Sequence, residues 1–475
     1  MKLLIKIFIA LLFTLEVFAQ GGGSVALSDA RSVALGKTYT ISSRGINAFG
    51  INPANLAIET DRTVELKTIF PIPNLSYIIG NDFFSIEDYN YFFGGEVNAA
   101  GETVGKTLTD GEKQEFKDLF TSGSALYTEV NLPIFAVVVN AGEKIGTFGF
   151  SMADKMAFKV DIPTALFDIF LDGLQKSQTY SLDDLDIQSW YVREYSLSYA
   201  RTLPQIFPKL AQEINVGLSL KLIQGFAYAG IEQLNTNIQV GDQGNAITVN
   251  SDIIANTAFS PSFGLKYDFE PDSLEKDSNP GFFNDPAGSG FGFDLGVSAK
   301  INDQLSVGLA ITDIGSITWD TEAAEYASAT TSYTLTDLTE KEKTDSLADA
   351  ILGEGDYVES FSTGLPTTLR MGAMYKFTYK FPMMVALDYN QGFNNLPGNS
   401  TQPRFSVGYE VHPLSWLPVR TGFSVGGRAG FGWGFGFGFN TSFLEINFAT
   451  SSMNSFVAGN SAKVVGFALG SRWKF

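Results

Sequence analysis

Between residues 430 and 439 the chain reads GFGWGFGFGF, an unbroken alternation of glycine with a large ring. A period of two is the period of a β-strand, so Phe431, Trp433, Phe435, Phe437 and Phe439 share one face and Gly430, Gly432, Gly434, Gly436 and Gly438 the other. In water such a strand would be poor. Glycine weakens a strand interior, and a continuous aromatic face invites aggregation unless something apolar covers it. A Gly/Phe stretch of this kind also has a competing reading as low-complexity disorder, and its surroundings have to decide between the two.

The same period recurs along the chain. In FDLGVSAKINDQLSVGLAITDIG the residues Phe293, Leu295, Val297, Ala299 and Ile301 oppose Asp294, Gly296, Ser298 and Lys300, and Leu305, Val307, Leu309 and Ile311 resume the pattern after an Asn302-Asp303 turn. Similar segments lie near 62–80, 125–140, 145–158, 188–203, 212–229, 256–269, 365–380, 382–393, 402–412, 416–427, 429–441, 442–451 and 462–475. Many reach about 10 residues, the length that crosses a bilayer at a tilt, whereas soluble sandwich strands are usually shorter. Short turns (Ala141 to Lys144, Asn302-Asp303, Gly426 to Ala429) contrast with long polar inserts near 82–124, 159–186, 270–290 and 321–363. That asymmetry is expected of outer-membrane barrels, with turns on one rim and loops on the other. Within the inserts, TALFDIFLDGLQK spaces Leu166, Ile169, Phe170 and Leu174 as a helix would, predicted to pack on the barrel mouth.

The chain start, MKLLIKIFIALLFTLEVFAQ, has the charged, apolar and small-residue regions of a secretory signal peptide, assigned to residues 1–19. Its apolar run is too short to span a bilayer, and no later stretch is long enough. Of 32 basic and 51 acidic residues, removal of Lys2, Lys6 and Glu16 with the signal leaves 30 and 50, a net charge of -20 that argues against a nucleic-acid partner. Without cysteine there are neither disulfides, thiol chemistry nor a lipid-modified cysteine. An enzymatic reading finds little to stand on. The single histidine, His412, precedes Pro413 at a predicted strand end and reads as a turn residue. No His or Cys cluster suits zinc. The acidic stretch Asp268, Glu270, Asp272, Glu275, Asp277 lacks the spacing of a calcium loop, and the ten acids of insert 321–363 read as a solvated loop or a surface for divalent ions. No cofactor and no metal site is expected.

The last strand, VVGFALGSRWKF, places Val465, Phe467, Leu469, Trp473 and the terminal Phe475 on one face, interrupted by Ser471. It resembles the terminal strand of outer-membrane barrels, which ends on an aromatic residue and is read by the barrel-assembly machinery. Trp190, Trp319, Trp416 and Trp473 fall near predicted strand ends, where interfacial girdles belong. Taken with these features, residues 28–59, SDARSVALGKTYTISSRGINAFGINPANLAIE, are similar to the N-terminus of the FadL/PorV-like outer-membrane barrel family of Bacteroidota type. The matching residues are Ala30-Arg31, Ala34, Gly36, Ala48, Asn52-Pro53-Ala54 and Leu56-Ala57, with GFGFDLG at 290–296, DIGSITW at 313–319 and LPVRTGF at 417–423 as further segments; Lys37 stands where a small residue is common.

The expected fold is therefore an all-β transmembrane antiparallel β-barrel of about 14 strands (range about 12–16), with small helices in the outer loops. The resemblance implies a hatch from residues 20–60 inside the lumen of a barrel spanning 61–475, with Arg31, Gly36, Asn52, Pro53 and Ala54 as its motif; an exposed N-terminal tail with an Asn-Pro turn is the plainer alternative. Strand phase points Asp294, Lys300, Arg370, Lys376, Asp388, Arg404, Glu410, Arg420 and Glu445 to the lumen, and Phe431, Trp433, Phe435, Phe437, Phe439, Trp473 and Phe475 to lipid. The mixed signs favour salt bridges between hatch and wall, with Arg31 and Arg44 as partners, over a polar solute path. Expected partners are outer-membrane lipid, the barrel-assembly machinery and either a hydrophobic ligand or a secretion-system component. Two functions follow from the resemblance: passive uptake of a hydrophobic small molecule, or a non-transporting barrel that binds a secretion or assembly partner.

Overall fold

The computed structural model describes residues 29–58, 62–97, 101–120, 124–204, 209–242, 246–268, 273–276, 281–335, 354–428, 430–454, 460 and 463–475. The signal-peptide segment 1–19 lies outside them, as do most of the acidic stretch around 270–277 and much of insert 321–363. Fourteen antiparallel strands form a closed wall. They are β1 (Val64–Thr68 continued by Leu75–Asn81), β2 (Ser124–Asn140), β3 (Thr147–Ile162), β4 (Asp186–Thr202), β5 (Glu213–Val240), β6 (Gly288–Lys300) and β7 (Leu305–Trp319), then β8 (Thr368–Thr378), β9 (Pro382–Gly392), β10 (Arg404–Leu414), β11 (Leu417–Gly426), β12 (Phe431–Asn440), β13 (Leu444–Thr450) and β14 (Val464–Lys474). Closure is made by β1 against β14, with Glu65 opposite Lys474 and Leu75 opposite Leu469. No helix among the described residues is long and apolar enough to cross a membrane.

Burial follows the sequence alternation. On β6 the even residues from Gly288 to Ser298 are buried and the odd ones exposed, with Phe291 73% accessible. On β12 Phe431, Phe437 and Phe439 are exposed, Trp433 and Phe435 half-buried, and the glycines turn inward. The outer face is thus a hydrocarbon surface, and one strand setting gives every backbone group a partner in a medium that offers none.

The two rims differ. Connections 141–146, 301–304, 379–381, 415–416 and 441–443 are short and lie with Phe475 at one rim, and the long inserts rise from the other. The tight connection after Gly426, expected among the short-rim turns, is on the long-loop rim, because β11 ends and β12 begins there. Strand β5 continues beyond the wall, and its outer half pairs with Ile247–Phe259, which pairs in turn with Ala323–Leu335. The insert near 321–363 therefore begins as a strand.

Two sequence expectations need correction. Helix Thr164–Asp172 does not bury Phe170, which is 74% exposed; Phe167 and Leu171 pack instead on Phe116 and Phe120 of the neighbouring outer loop, so the helix joins a small aromatic core with Ile86–Phe93 and Asp110–Asp118 rather than the wall mouth. Trp190 and Trp319 are not girdle residues: both are buried on the inner face, where Trp319 lies 5.3 Å from Tyr228. Sequence position near a strand end does not distinguish inside from outside; parity places Trp190 inward, and Trp319 is inward because the bulge at Thr312–Asp313 reverses the parity set by Leu305, Val307, Leu309 and Ile311.

The break in β1 explains Ser471. Residues 69–74 bulge outward over β14, where Ser471 Oγ donates to the Ile72 carbonyl (2.8 Å), Asn74 Oδ1 accepts the Ser471 N–H (3.1 Å), and Trp473 Nε1 donates to the Phe70 carbonyl (3.2 Å). A hydroxyl is tolerated in the lipid-facing row because chain covers it. Elsewhere no such cover exists. Leu387→Arg, at the middle of lipid-facing β9, is expected to destabilise the barrel by about 2–4 kcal/mol, read as a lowered urea midpoint in phospholipid vesicles while the folded fraction keeps its heat-modifiable gel mobility.

Candidate functional site

The lumen is the site, and the N-terminal segment is its main occupant. Asp29 caps helix Ala30–Ala34 through the Ser32 N–H (2.9 Å), and the chain then turns at Gly36 and Lys37, both at positive φ (63° and 65°). Two 3-10 turns, Gly45–Ala48 and Pro53–Ala57, follow, the second capped by Asn52. Nearly every residue from Ala30 to Leu56 is buried.

Contact between this segment and the wall is partly side chain on side chain, with Ile46, Phe49 and Leu56 in one cluster with Ala136, Val138 and Ala153 and Leu35, Tyr39 and Ile41 in another with Met374 and Met384, and partly backbone against glycine. A Cβ on Gly422 would collide with the Leu35–Gly36 peptide, one on Gly434 with the Val33 carbonyl, and one on Gly217 with the Pro53–Ala54 peptide. Built Cβ atoms on Gly372 and Gly408 would come within 2.9 Å of Thr40 and 3.0 Å of the Leu35 carbonyl. The inward glycines of GFGWGFGFGF divide accordingly: Gly434 and Gly436 receive the segment, while Gly432 and Gly438 face Ser424 and Asn447 of neighbouring strands.

Polar fastenings hold the segment at fixed points. The Asp388 carboxylate accepts both the Tyr39 and Thr40 N–H groups at 2.7 Å, and Glu65 accepts the Ile46 N–H at 2.8 Å. Asn52 Nδ2 donates to the Val297 carbonyl (3.2 Å) while its Oδ1 accepts the Ala54 N–H (3.1 Å). Arg31 donates to Glu410 (2.9 Å) and to the Ser42 carbonyl (2.7 Å). From there an alternating chain of charge crosses the wall: Glu410 to Arg420 (2.5 Å), Arg420 to Glu445 (4.0 Å), Glu445 to Arg472 (2.7 Å), and Arg472 to Glu65 (3.3 Å). His412 belongs to β10, not to a turn; its phase is inward and Nε2 lies 3.2 Å from Glu410.

Among the lumen candidates, Asp294, Arg370, Asp388, Arg404, Glu410, Arg420 and Glu445 are buried, whereas Lys300 and Lys376 sit half-buried near the short-turn rim, Lys300 3.0 Å from Asp303. Arg370 donates to Asn390 (3.1 Å). Trp473 is half-exposed and Phe475 exposed on the outer side. Sequence reasoning overlooked a second cluster on β3–β7. There the fully buried Lys221 ammonium meets Asp294 (2.7 Å), Asp313 (2.6 Å) and Glu194 (3.6 Å), and Glu194 also holds Lys155 (2.7 Å). Lys221 was legible, since it alternates with Leu220 and Leu222; Asp313 was not, because a bulge at Thr312–Asp313 turns two successive residues inward.

Toward the long-loop rim the inner face of β4–β7 carries an apolar cluster, while on β3 beside it the buried Lys159 ammonium is held by Asp161 (2.8 Å) and Asp186. Val192, Ile223, Ile317 and Leu365 pack with Trp190, Tyr228 and Trp319, and Phe361 closes against them. Above this again stand the outer helices, where the Lys106 ammonium and the Thr109 N–H hold Glu112 down to about 2 and complete a capping box.

Residues 63–451 match the model of a family described as "Family of unknown function (DUF5723)". The chain belongs to that family. No curated protein sequence matches it. Solved structures similar to it include the Ralstonia pickettii toluene transporter TbuX (13% identity, 95% of this chain and 99% of the other, TM-score 0.44) and the Pseudomonas putida toluene transporter TodX (13%, 96% and 99%, 0.45). A Pseudomonas aeruginosa FadL homologue is a third (13%, 96% and 100%, 0.46). A closed barrel of fourteen strands with a hydrocarbon exterior places this DUF5723 protein in the bacterial outer membrane.

Removing one partner from the buried charge chain leaves uncompensated charge. Arg420→Met is expected to cost about 3–5 kcal/mol in the urea midpoint in vesicles. Gly422→Val, with no charge involved, is expected to destabilise by about 1–3 kcal/mol through the collision with Leu35–Gly36 alone.

Proposed function

We propose that this protein is a passive transporter of a hydrophobic small molecule, made with a cleaved signal at 1–19 and using residues 20–60 as a plug in a barrel of 61–475. The observation that carries the reading is an apolar aromatic cluster of Trp190, Tyr228, Trp319 and Phe361 on the inner face toward the long-loop rim, beside buried ion pairs and the inserted segment. An apolar solute that parts these side chains is stabilised by burial of its surface, and is turned back by the buried ion pairs, which it cannot replace. Onward movement then requires the segment to shift or the solute to leave sideways into the membrane. The first route requires Phe49 and Leu56 of the segment to slide over the wall alanines they pack on while its hydrogen bonds to the wall release. The carboxylates Asp388, Glu65 and Glu410 are its latches.

The cysteine-free chain permits a direct test. Ala30→Cys with Ala468→Cys, two residues of one packed cluster, would tie the segment to β14. With toluene and a long-chain fatty acid as probes of two sizes, uptake into cells carrying the oxidised pair should fall to that of cells lacking the barrel, and return on reduction. Uptake by the wild-type barrel no higher than without it would end the transport reading and leave the partner-binding barrel in its place.

A further inference from the structure

A cavity lies not in the lumen but on the lipid side of the wall. It has a volume of about 610 Å³ and is lined by Phe150, Tyr195, Leu197, Leu220, Leu222, Phe291, Phe293 and Ile314, with Lys221, Gly292 and Gly315 completing it. Lys221 sends its ammonium inward to Asp294 and Asp313, so no charge reaches the cavity from that side. Leu197, Leu220 and Leu222 are 60%, 56% and 43% exposed, which fixes the cavity as an outward dent.

Strand register explains its shape. One cross-strand row runs Phe150, Leu197, Leu220, Phe293, Ile314, and the next runs Met152, Tyr195, Leu222, Phe291, Ser316. In each the leucines are flanked by larger residues, and in the first the flanking rings of β3 and β6 stand three strand spacings, about 14 Å, apart. The result is a trough with an aliphatic floor and aromatic banks. The row toward the long-loop rim changes character: Asp154, Arg193, Gln224, Ser289, Thr318. Arg193 is spent on Asp154 (2.6 Å) and the Phe282 carbonyl (2.8 Å), and Tyr195 Oη donates to Gln224 Oε1 (3.2 Å). Ser289 and Thr318 are exposed. Uncharged hydrogen-bonding groups therefore sit directly at the end of a hydrocarbon trough.

We infer that the trough on β3–β7 holds one acyl chain of an outer-leaflet membrane lipid, with the lipid's ester or hydroxyl groups against Gln224, Ser289 and Thr318. Occupancy is selected by the chain and its neutral polar end, since the only cation of that row is already engaged. The site is independent of the transport reading and needs only the barrel in its bilayer.

The test is the lipid retained by the full-length barrel after purification from membranes in mild detergent, counted and identified by native mass spectrometry. Wild type should keep one acyl lipid per barrel. The double variant L197W/L220W, which fills the trough from the lipid side, should keep at least about fivefold less, while L387W/V407W on the opposite wall retains it. Equal retention by the filled and control variants, or none by wild type, overturns the site; a retained transport cargo instead of a membrane lipid also overturns it. As a measurement that needs no variant, a density map of the wild-type barrel in lipid nanodiscs should show an ordered chain along Leu220 and Leu222. Featureless density there would reject the proposal.

Discussion

Everything in this molecule depends on closure of the sheet between β1 and β14. In hydrocarbon an unpaired backbone group costs several kcal/mol, so an open edge is not available and the wall must return on itself. Once it does, each residue is committed to one of two environments by its parity. The terminal strand carries that commitment to its last residue, and even its exception, Ser471, is resolved by chain folded over it from the break in β1.

The inside of the wall solves a different problem. Fourteen strands enclose more space than their inward side chains fill here, because so many of those side chains are glycine, and the N-terminal segment takes the remainder. Its backbone amides have left water and find their acceptors in wall carboxylates, Asp388 and Glu65, rather than in a regular sheet or long helix. Carboxylates placed there need cations, and the chain from Arg31 through Arg420 to Arg472 supplies them. Buried ion pairs of this kind fix position more than they stabilise.

Much of this was legible from residue order. The GFGWGFGFGF alternation, the hairpin around Asn302-Asp303 and the phase of Asp388 and Glu410 all report parity, a local property that needs no partner to be read. The unequal connections reported the two rims. What misled was position: Trp190 lies near a strand end yet points inward, Trp319 does so because the bulge at Thr312–Asp313 reverses the parity of β7, and the turn after Gly426 is short yet belongs to the long-loop rim. Phe170 shares a helical period with apolar neighbours, but which stripe is buried was chosen by Phe116 and Phe120 from another loop.

Sequence alone determined the strand period, the apolar exterior and the approximate strand number, since hydrogen-bond geometry and the hydrocarbon surroundings act on each strand separately. Only tertiary structure decided which carboxylate meets which cation, which glycines receive the N-terminal segment, and where the wall dents into a trough of leucines. Those outcomes depend on register between strands far apart in the chain and on single-residue bulges such as Thr312–Asp313. A shift of one residue in either would turn a lumen charge toward lipid, and no local pattern records it.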